Sequence, residues 1–254
     1  MTTSGGTRTS WCGSRSFSRL IDVARRAGEG VVALFYPPRC VRCGGPLGFL
    51  GVLCAACEEA LPELSDARCR RCGEALSDPS HDVCLRCGTS ERSVDRFHAL
   101  GPYEGAWGEL VRALKFGKET AVGRFLARRM AESIAAHGIL KTFDLVTFVP
   151  MLRADRRERG FNQAELLARG IAARLERPVA RTLVKVRRTT PQGRLTAAQR
   201  RTNLRNAFRP VRYGGERVLL VDDIETTGST VEECARELKR SGYRSVVVLT
   251  VARA

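Results

Sequence analysis

The stretch RVLLVDDIETTGST, Arg217–Thr230, decides how this chain is read. Val218–Val221 is a short apolar run of the kind that forms a buried strand, and it ends at two adjacent carboxylates, Asp222 and Asp223. The loop Thr226, Thr227, Gly228, Ser229 and Thr230 follows, and the amphipathic stretch from Val231 to Lys239 predicts a helix. A strand passing through such a loop into a helix gathers backbone N–H groups and hydroxyls at a helix N-terminus, where an anion is stabilised. Carboxylates just ahead of that loop can accept hydrogen bonds from sugar hydroxyls or hold a divalent cation. A phosphate at one end and hydroxyls at the other describe a ribose phosphate. No Gly-Lys-Ser/Thr closes the loop, which excludes a Walker phosphate loop.

VDDIETTGST resembles the phosphoribosyl pyrophosphate (PRPP) motif of type I phosphoribosyltransferases. The resemblance implies that Asp222 and Asp223 hold the ribose 2′- and 3′-hydroxyls. It implies also that Thr226, Thr227, Gly228, Ser229 and Thr230 cradle the 5-phosphate. Purine-salvage members carry an Asp, their usual acid–base group, where this chain has Thr226, so purine salvage is disfavoured.

Upstream of the motif, helix and strand patterns alternate. Gly108–Phe116 and Thr120–His137 read as helices, the second with a stripe of Val122, Leu126, Met130 and Ile134. Phe143–Val149 reads as a buried strand, Phe161–Leu175 as a helix, Thr182–Val186 as a strand, and Ser245–Val251 as the final strand. Such alternation predicts an α/β fold with a mainly parallel, doubly wound sheet. Ligands bind these sheets at the carboxyl ends of strands, so the loops after Val149, Val186 and Val221 are expected to line one mouth. Two of those loops are rich in arginine: PMLRADRRERGFNQ (Pro150–Gln163) and RRTTPQGRLTAAQRRTNLRNAF (Arg187–Phe208). Guanidinium forks bind phosphate oxygens in pairs and keep their charge at any relevant pH. Pyrophosphate leaves in phosphoribosyl transfer, and cationic loops would offset the charge that develops on it.

The net charge of +16 is unevenly spread. Residues 1–95 hold 12 basic and 11 acidic side chains, whereas residues 153–212 alone hold 17 against 4, a net of +13. A surplus so concentrated suits a polyanion, nucleic acid or pyrophosphate; an arginine-rich solvated face is the plainer alternative. No apolar run approaches the roughly 18–20 residues a membrane span needs, and the N-terminus lacks the apolar core of a signal peptide. The expectation is a cytoplasmic protein, with a peripheral position at the inner membrane face left open.

Eight of the ten cysteines form four C-x-x-C pairs: Cys40/Cys43, Cys54/Cys57, Cys69/Cys72 and Cys84/Cys87. Paired thiolates at that spacing grip a tetrahedral metal from one tight knuckle, and two knuckles complete a closed four-sulfur site. Two structural Zn2+ ions are expected, with iron–sulfur ligation and redox dithiols as alternatives. Sequential and interleaved sharing of the pairs both fit the spacing. Gly44, Gly73 and Gly88 each follow the second cysteine of a pair, as a knuckle turn with positive φ would require. Cys12 and Cys234 are left over, one on the leader and one on the helix after the motif. Residues 17–35 repeat apolar groups at a helical period before Pro37 and Pro38.

The order of motifs completes a family pattern. Four C-x-x-C pairs precede LKFGK (Leu114–Lys118), RGFNQ (Arg159–Gln163), TPQ…L…R…N (Thr190–Asn203) and VDDIETTGST. The chain resembles the competence-protein ComF family over about residues 35–254, with a double zinc ribbon ahead of a phosphoribosyltransferase-like domain. This gives a leader and amphipathic helix at 1–35, the ribbons at 36–92 and the phosphoribosyltransferase-like domain at 93–254. The resemblance implies a role in natural transformation, with PRPP and Mg2+ bound at the motif, single-stranded DNA handled on a basic face, and DNA-uptake machinery as protein partners. By the same resemblance Pro150–Asp155, with Arg153, fits the pyrophosphate loop, and Arg188–Arg200 fits a mobile loop that closes over PRPP. Arg159 and Arg200 are the foremost phosphate contacts, with Lys115 a further candidate. An active PRPP-dependent transferase and a PRPP-sensing adaptor without turnover are the alternatives. For the transferase, Glu225 would have to turn inward to replace the acid missing at Thr226.

Overall fold

In a computed structural model of the chain, the described residues are 38–47, 51–65, 67–116, 120–188 and 204–254. The helix expected within 17–35, Cys12, Arg200 and the Thr190–Asn203 motif lie outside them. The chain divides into two units, Met1–Cys54 and Ala55–Ala254.

Helices α1 (Ala55–Glu59) and α2 (Leu85–Gly88) each carry the final cysteine of one four-cysteine set. Beyond them come β1 (Arg96–Pro102), α3 (Ala106–Phe116), α4 (Thr120–Ala136), β2 (Leu145–Phe148), α5 (Arg153–Arg159), α6 (Gln163–Arg174), β3 (Leu183–Lys185), β4 (Phe208–Pro210), β5 (Arg217–Glu225), α7 (Ser229–Arg240) and β6 (Ser245–Arg253). The main sheet is wholly parallel in the order β1-β6-β5-β2. Every residue of β6 from Val246 to Ala252 is buried, so side chains pointing to either face of this strand are covered. That is the signature of a sheet clothed by helices on both sides. Helix α6 packs on β2, β5 and α4, while α7 packs on β5, β6 and the β3–β4 pair. Gly170 allows α6 to approach α4 closely, since a Cβ there would lie 2.6 Å from that of Ala127. Trp107, Leu110 and Leu114 of α3 are fully buried, and each such side chain contributes roughly 1.5–3 kcal/mol by leaving water.

The fold class is as the sequence predicts, with four local differences. The strand β1 was not anticipated, because RFHALGP lacks a β-branched run and owes its state to parallel pairing with β6. The stretch expected as a parallel strand at Thr182–Val186 instead pairs antiparallel with β4, and β2's outer edge receives only an isolated bridge from Val179. Within the presumed loop after Val149, Arg153–Arg159 forms the short helix α5. Gly44 and Gly73 have φ of +71° and +70°, but Gly88 is helical and needs no left-handed turn.

Candidate functional site: a diacid cavity and the Thr-Gly loop

Strand β5 outlasts its neighbour β2. Their pairing ends at Phe148 and Val221, while β5 continues beside β6 as far as Glu225. The next two β5 residues, Asp222 and Asp223, therefore open into the space that β2 leaves, a cavity of about 610 Å3. Lys115 of α3 reaches Asp223 Oδ2 at 3.0 Å, so this lysine is paired with the diacid. Burial, and then the charge of Asp223, push the Asp222 carboxyl well above its ordinary range. Lys185 of β3 lines the same cavity; burial lowers its pKa, and the nearby Asp155 carboxylate opposes that shift. Gln163 contributes a buried amide, Nε2, with no hydrogen-bond partner. A polar, part-buried cavity lined by four acids, two lysines, an arginine and an orphaned donor suits a highly charged ligand carrying hydroxyls.

The RGFNQ motif divides its labour. Arg159 lines the cavity and donates from Nη1 to Gln163 Oε1 at 3.2 Å. Asn162 caps α6 by accepting from Ala164 N at 3.1 Å, and its Nδ2 donates to Val149 O at 3.0 Å. This asparagine ties the loop after β2 to the helix that follows.

Past the diacid, Thr226–Gly228 lead into α7. Gly228 is the N-cap residue at φ +75°, and a Cβ there would meet Glu225 Oε1 at 2.8 Å. The Thr227 and Ser229 hydroxyls are 3.1 Å apart, and a pit of about 20 Å3 lies among Asp222, Glu225 and Thr226–Val231. The first turn of a twelve-residue helix supplies N–H groups without helical acceptors at this point. Glu225 is 4 % exposed and bound to Arg253 Nη1 at 2.8 Å, so it does not face the cavity as a spare acid. On the reverse of the loop, Ser93 N donates to Glu232 Oε1 at 2.6 Å and Arg92 Nε lies 3.2 Å from Oε2. Residues just after the last cysteine pair thus hold the first turn of α7.

The cysteines resolve the pairing question. Cys40, Cys43, Cys54 and Cys57 form one set and Cys69, Cys72, Cys84 and Cys87 the other, the sulfurs of each set lying within 4.8 Å of one another. Sharing is sequential. A tetrahedral zinc–thiolate site with bonds of about 2.3 Å has sulfur–sulfur edges of about 3.8 Å. The Cys43–Cys54 and Cys72–Cys84 sulfur separations are 3.8 and 3.7 Å. The residues fit two structural zinc ions.

Two families match the chain: the double zinc ribbon domain over residues 31–90 and the phosphoribosyl transferase domain over residues 162–254. Competence protein F of Haemophilus influenzae is 33% identical over 87% of this chain and 99% of its own length. The chain belongs to the competence protein F (ComF) family. The DNA utilization protein YhgH of Salmonella typhimurium is 35% identical over 62% of this chain and 72% of that protein. Among solved structures, the allosteric regulatory enzyme of purine biosynthesis aligns with 50% of this chain and 25% of that one, at 26% identity and a TM-score of 0.35.

In this ComF-family chain Pro150, Arg159, Lys115, Asp222 and Asp223 line one cavity, joined there by Val149 and Met151 after β2 and by Lys185 of β3. Arg153, at the start of α5, and Arg188 are exposed and are not among that cavity's lining residues. Lys185 was missed by sequence reasoning; its signal was a lone charge inside an otherwise apolar strand, LVKV. Asp155 and Glu158 were passed over inside a run read for its arginines. Cys234 is fully buried in α7. No helix among the described residues is long and apolar enough to cross a membrane.

Proposed function

We propose that this chain serves DNA uptake in natural transformation, binding PRPP with Mg2+ at the diacid cavity and single-stranded DNA on the basic segment 153–212. The observation that carries the PRPP reading is the joint lining of one cavity by Asp222, Asp223, Arg159 and Lys185, with the Thr226–Thr230 loop next to it. Asp222 and Asp223 receive the ribose diol, and their mutual repulsion is relieved by hydroxyl donors. Thr226, Thr227, Gly228, Ser229 and Thr230 take the 5-phosphate at the N-terminus of α7. Arg159, Lys185 and the loop from Pro150 face the pyrophosphate. Bound Mg2+ would offset the charge of the pyrophosphate. The uptake role is supported by the relatives, one a competence protein and one a DNA utilization protein.

Calorimetry of PRPP and Mg2+ on zinc-replete protein tests the donor site. Saturable heat is expected, and Asp222→Asn with Asp223→Asn should weaken binding at least about 100-fold while the melting temperature holds. A carboxyl whose ionisation is disfavoured by burial tolerates a neutral isostere, so the fold survives this change. Absence of heat with the unaltered chain removes the PRPP reading. Turnover is a second reading, favoured by Asp155 and Glu158, two further carboxylates lining the same cavity. Pyrophosphate release in the presence of candidate amines or bases decides it.

A further inference from the structure

A second cavity, of about 450 Å3, lies between the second ribbon, β1 and α4, and shares no lining residue with the diacid cavity. Four guanidiniums line it, Arg68 and Arg70 from the ribbon, Arg96 from β1 and Arg129 from α4, against two carboxylates, Glu63 and Glu132. Their neutralisation is incomplete. Arg70 lies 3.6 Å from Asp82 with both side chains largely exposed, and Arg129 lies 3.5 Å from Glu132 and 3.9 Å from Glu58. Neither Arg68 nor Arg96 has a carboxylate within 4.0 Å among the described residues. Arg68 Nη1 donates to Gly73 O at 2.9 Å, a knuckle contact that Arg39 repeats on Gly44 O at 3.0 Å in the first ribbon. The Arg68 Nε–H, however, is buried without a partner.

The remaining wall is made of rings. His98 Nε2 and Ser133 Oγ are 2.7 Å apart, the His98 and His137 ring centroids are 4.6 Å apart, and Phe97 completes the surface. Burial, His137 and Arg96 lower the His98 pKa to about 4, so the imidazole is neutral at pH 7. A bare phosphate would fill a small part of this volume, whereas sugar and base use the rest, with aromatic faces opposite the base.

We propose that this cavity takes one nucleoside phosphate unit, its phosphate on Arg70, Arg96 and the Arg68 Nε–H and its base toward His98 and Phe97. The inference rests on the DNA-binding reading above and adds a contact that the charge map of the sequence hides. Arg68 and Arg70 belong to residues 1–95, where basic and acidic side chains nearly cancel. The unit could be part of a single strand or a free nucleotide, and the test separates them.

Fluorescence anisotropy of labelled oligo-dT and calorimetry of dTMP are measured on the zinc-replete full chain and on Arg70→Ala with Arg96→Ala. Both side chains reach solvent, so the fold is retained; the control, Arg240→Ala with Arg244→Ala, removes equal charge elsewhere. The expected result is a loss of oligo-dT affinity of at least about tenfold. The log–log salt slope should become shallower by about 0.7, the value for one phosphate contact on a single strand. The control should change affinity less than about threefold, and PRPP heats should be unchanged. Binding of dTMP but not oligo-dT by the unaltered chain assigns the cavity to free nucleotides and removes the DNA reading. Unchanged affinity and slope in the Arg70/Arg96 variant, or an equal loss in the control, overturns the inference and leaves the DNA reading intact. Binding of neither probe by the unaltered chain overturns both.

Discussion

In the first ribbon Cys40 N donates to Gly45 O at 2.8 Å and Gly44 N to Cys40 O at 2.9 Å. In the second, Cys69 N donates to Glu74 O at 2.8 Å and Gly73 N to Cys69 O at 2.7 Å, an almost identical knuckle. The surroundings are not alike. Cys43 is exposed and Cys54 and Cys57 are half-buried, whereas Cys69, Cys72 and Cys87 are buried with Leu76 and Val83 against them. Where the first knuckle has Gly45 the second has Glu74, whose carboxylate accepts from Arg86 Nη2 at 2.8 Å beside the Cys72 sulfur. The second ribbon is also bonded to the sheet, with Phe97 N donating to Arg70 O at 2.6 Å. Cysteine spacing identifies the ligands, and the fold decides which of them share an ion. What the ion supports depends on the neighbours, which spacing does not encode.

The strongest way to break the comparison is to remove one ligand from each set. Cys87→Ser leaves a buried site short of a thiolate in the body that carries the sheet, and structural zinc binding is folding free energy. Its melting temperature should fall by about 10 °C or more, on the scale of several kcal/mol. Cys43→Ser alters an exposed ligand, and less than half that shift is expected in the melting of the sheet-bearing unit. Scanning calorimetry in excess zinc reads both. Equal shifts would mean that the burial difference has no energetic consequence.

The two knuckle glycines sharpen the same contrast without touching a ligand. Gly44 and Gly73 both sit at φ near +70°, a conformation that costs a residue with a Cβ about 1 kcal/mol. Gly44 has nothing within 4 Å of a built Cβ, so Gly44→Ala should cost that strain alone. At Gly73 the Cβ would lie 2.4 Å from Phe97 Cε1, a ring held in the core. Overlap there should add about 1–3 kcal/mol, making Gly73→Ala the more damaging of the pair. Urea midpoints of the two variants decide it, and equal midpoints would show that Phe97 yields freely.

How much of this was open to a reader of the sequence follows from the range of each interaction. The diacid, the Thr-Gly loop and the α7 helix follow one another directly from Asp222 to Arg240, and strand-loop-helix chemistry is local. The cysteine knuckles are equally local, and the four-residue units gave the ligands though not their sharing. What stayed hidden depends on distant partners. The strand β1 exists because β6 pairs with it, some 150 residues away. Lys185 acts in the cavity only because β3 leaves the main sheet to pair with β4. The arginine-rich run after Val149 was read as loop because its charges masked a helix whose Arg159 turns to the cavity while Arg153 stays in solvent. The second cavity draws Arg70, Arg96 and His137 from three separate elements, and no window of sequence contains it.

The smallest effect concerns acid, and it tests whether the flank of the second ribbon is as closed as its cysteines suggest. His98 faces Ser133 of α4 and His137 just past that helix, and has Arg96 on its own strand; burial, then His137, then Arg96 lower its pKa to about 4. An unfolded histidine titrates near 6.5, so between those values the unfolded chain binds the extra proton. The group's contribution is therefore complete above about pH 6.5 and declines as pH falls toward 4. From pH 7 to 5.5 it should amount to about 1 kcal/mol of lost stability. Acid also releases zinc from thiolates, so the quantity to measure is the difference between the unaltered chain and His98→Gln in zinc-saturated buffer. The variant should lose less stability than the unaltered chain over that range. Parallel declines would mean that His98 protonates in the folded protein as readily as in water, and the ribbon's flank would then be open to solvent rather than closed.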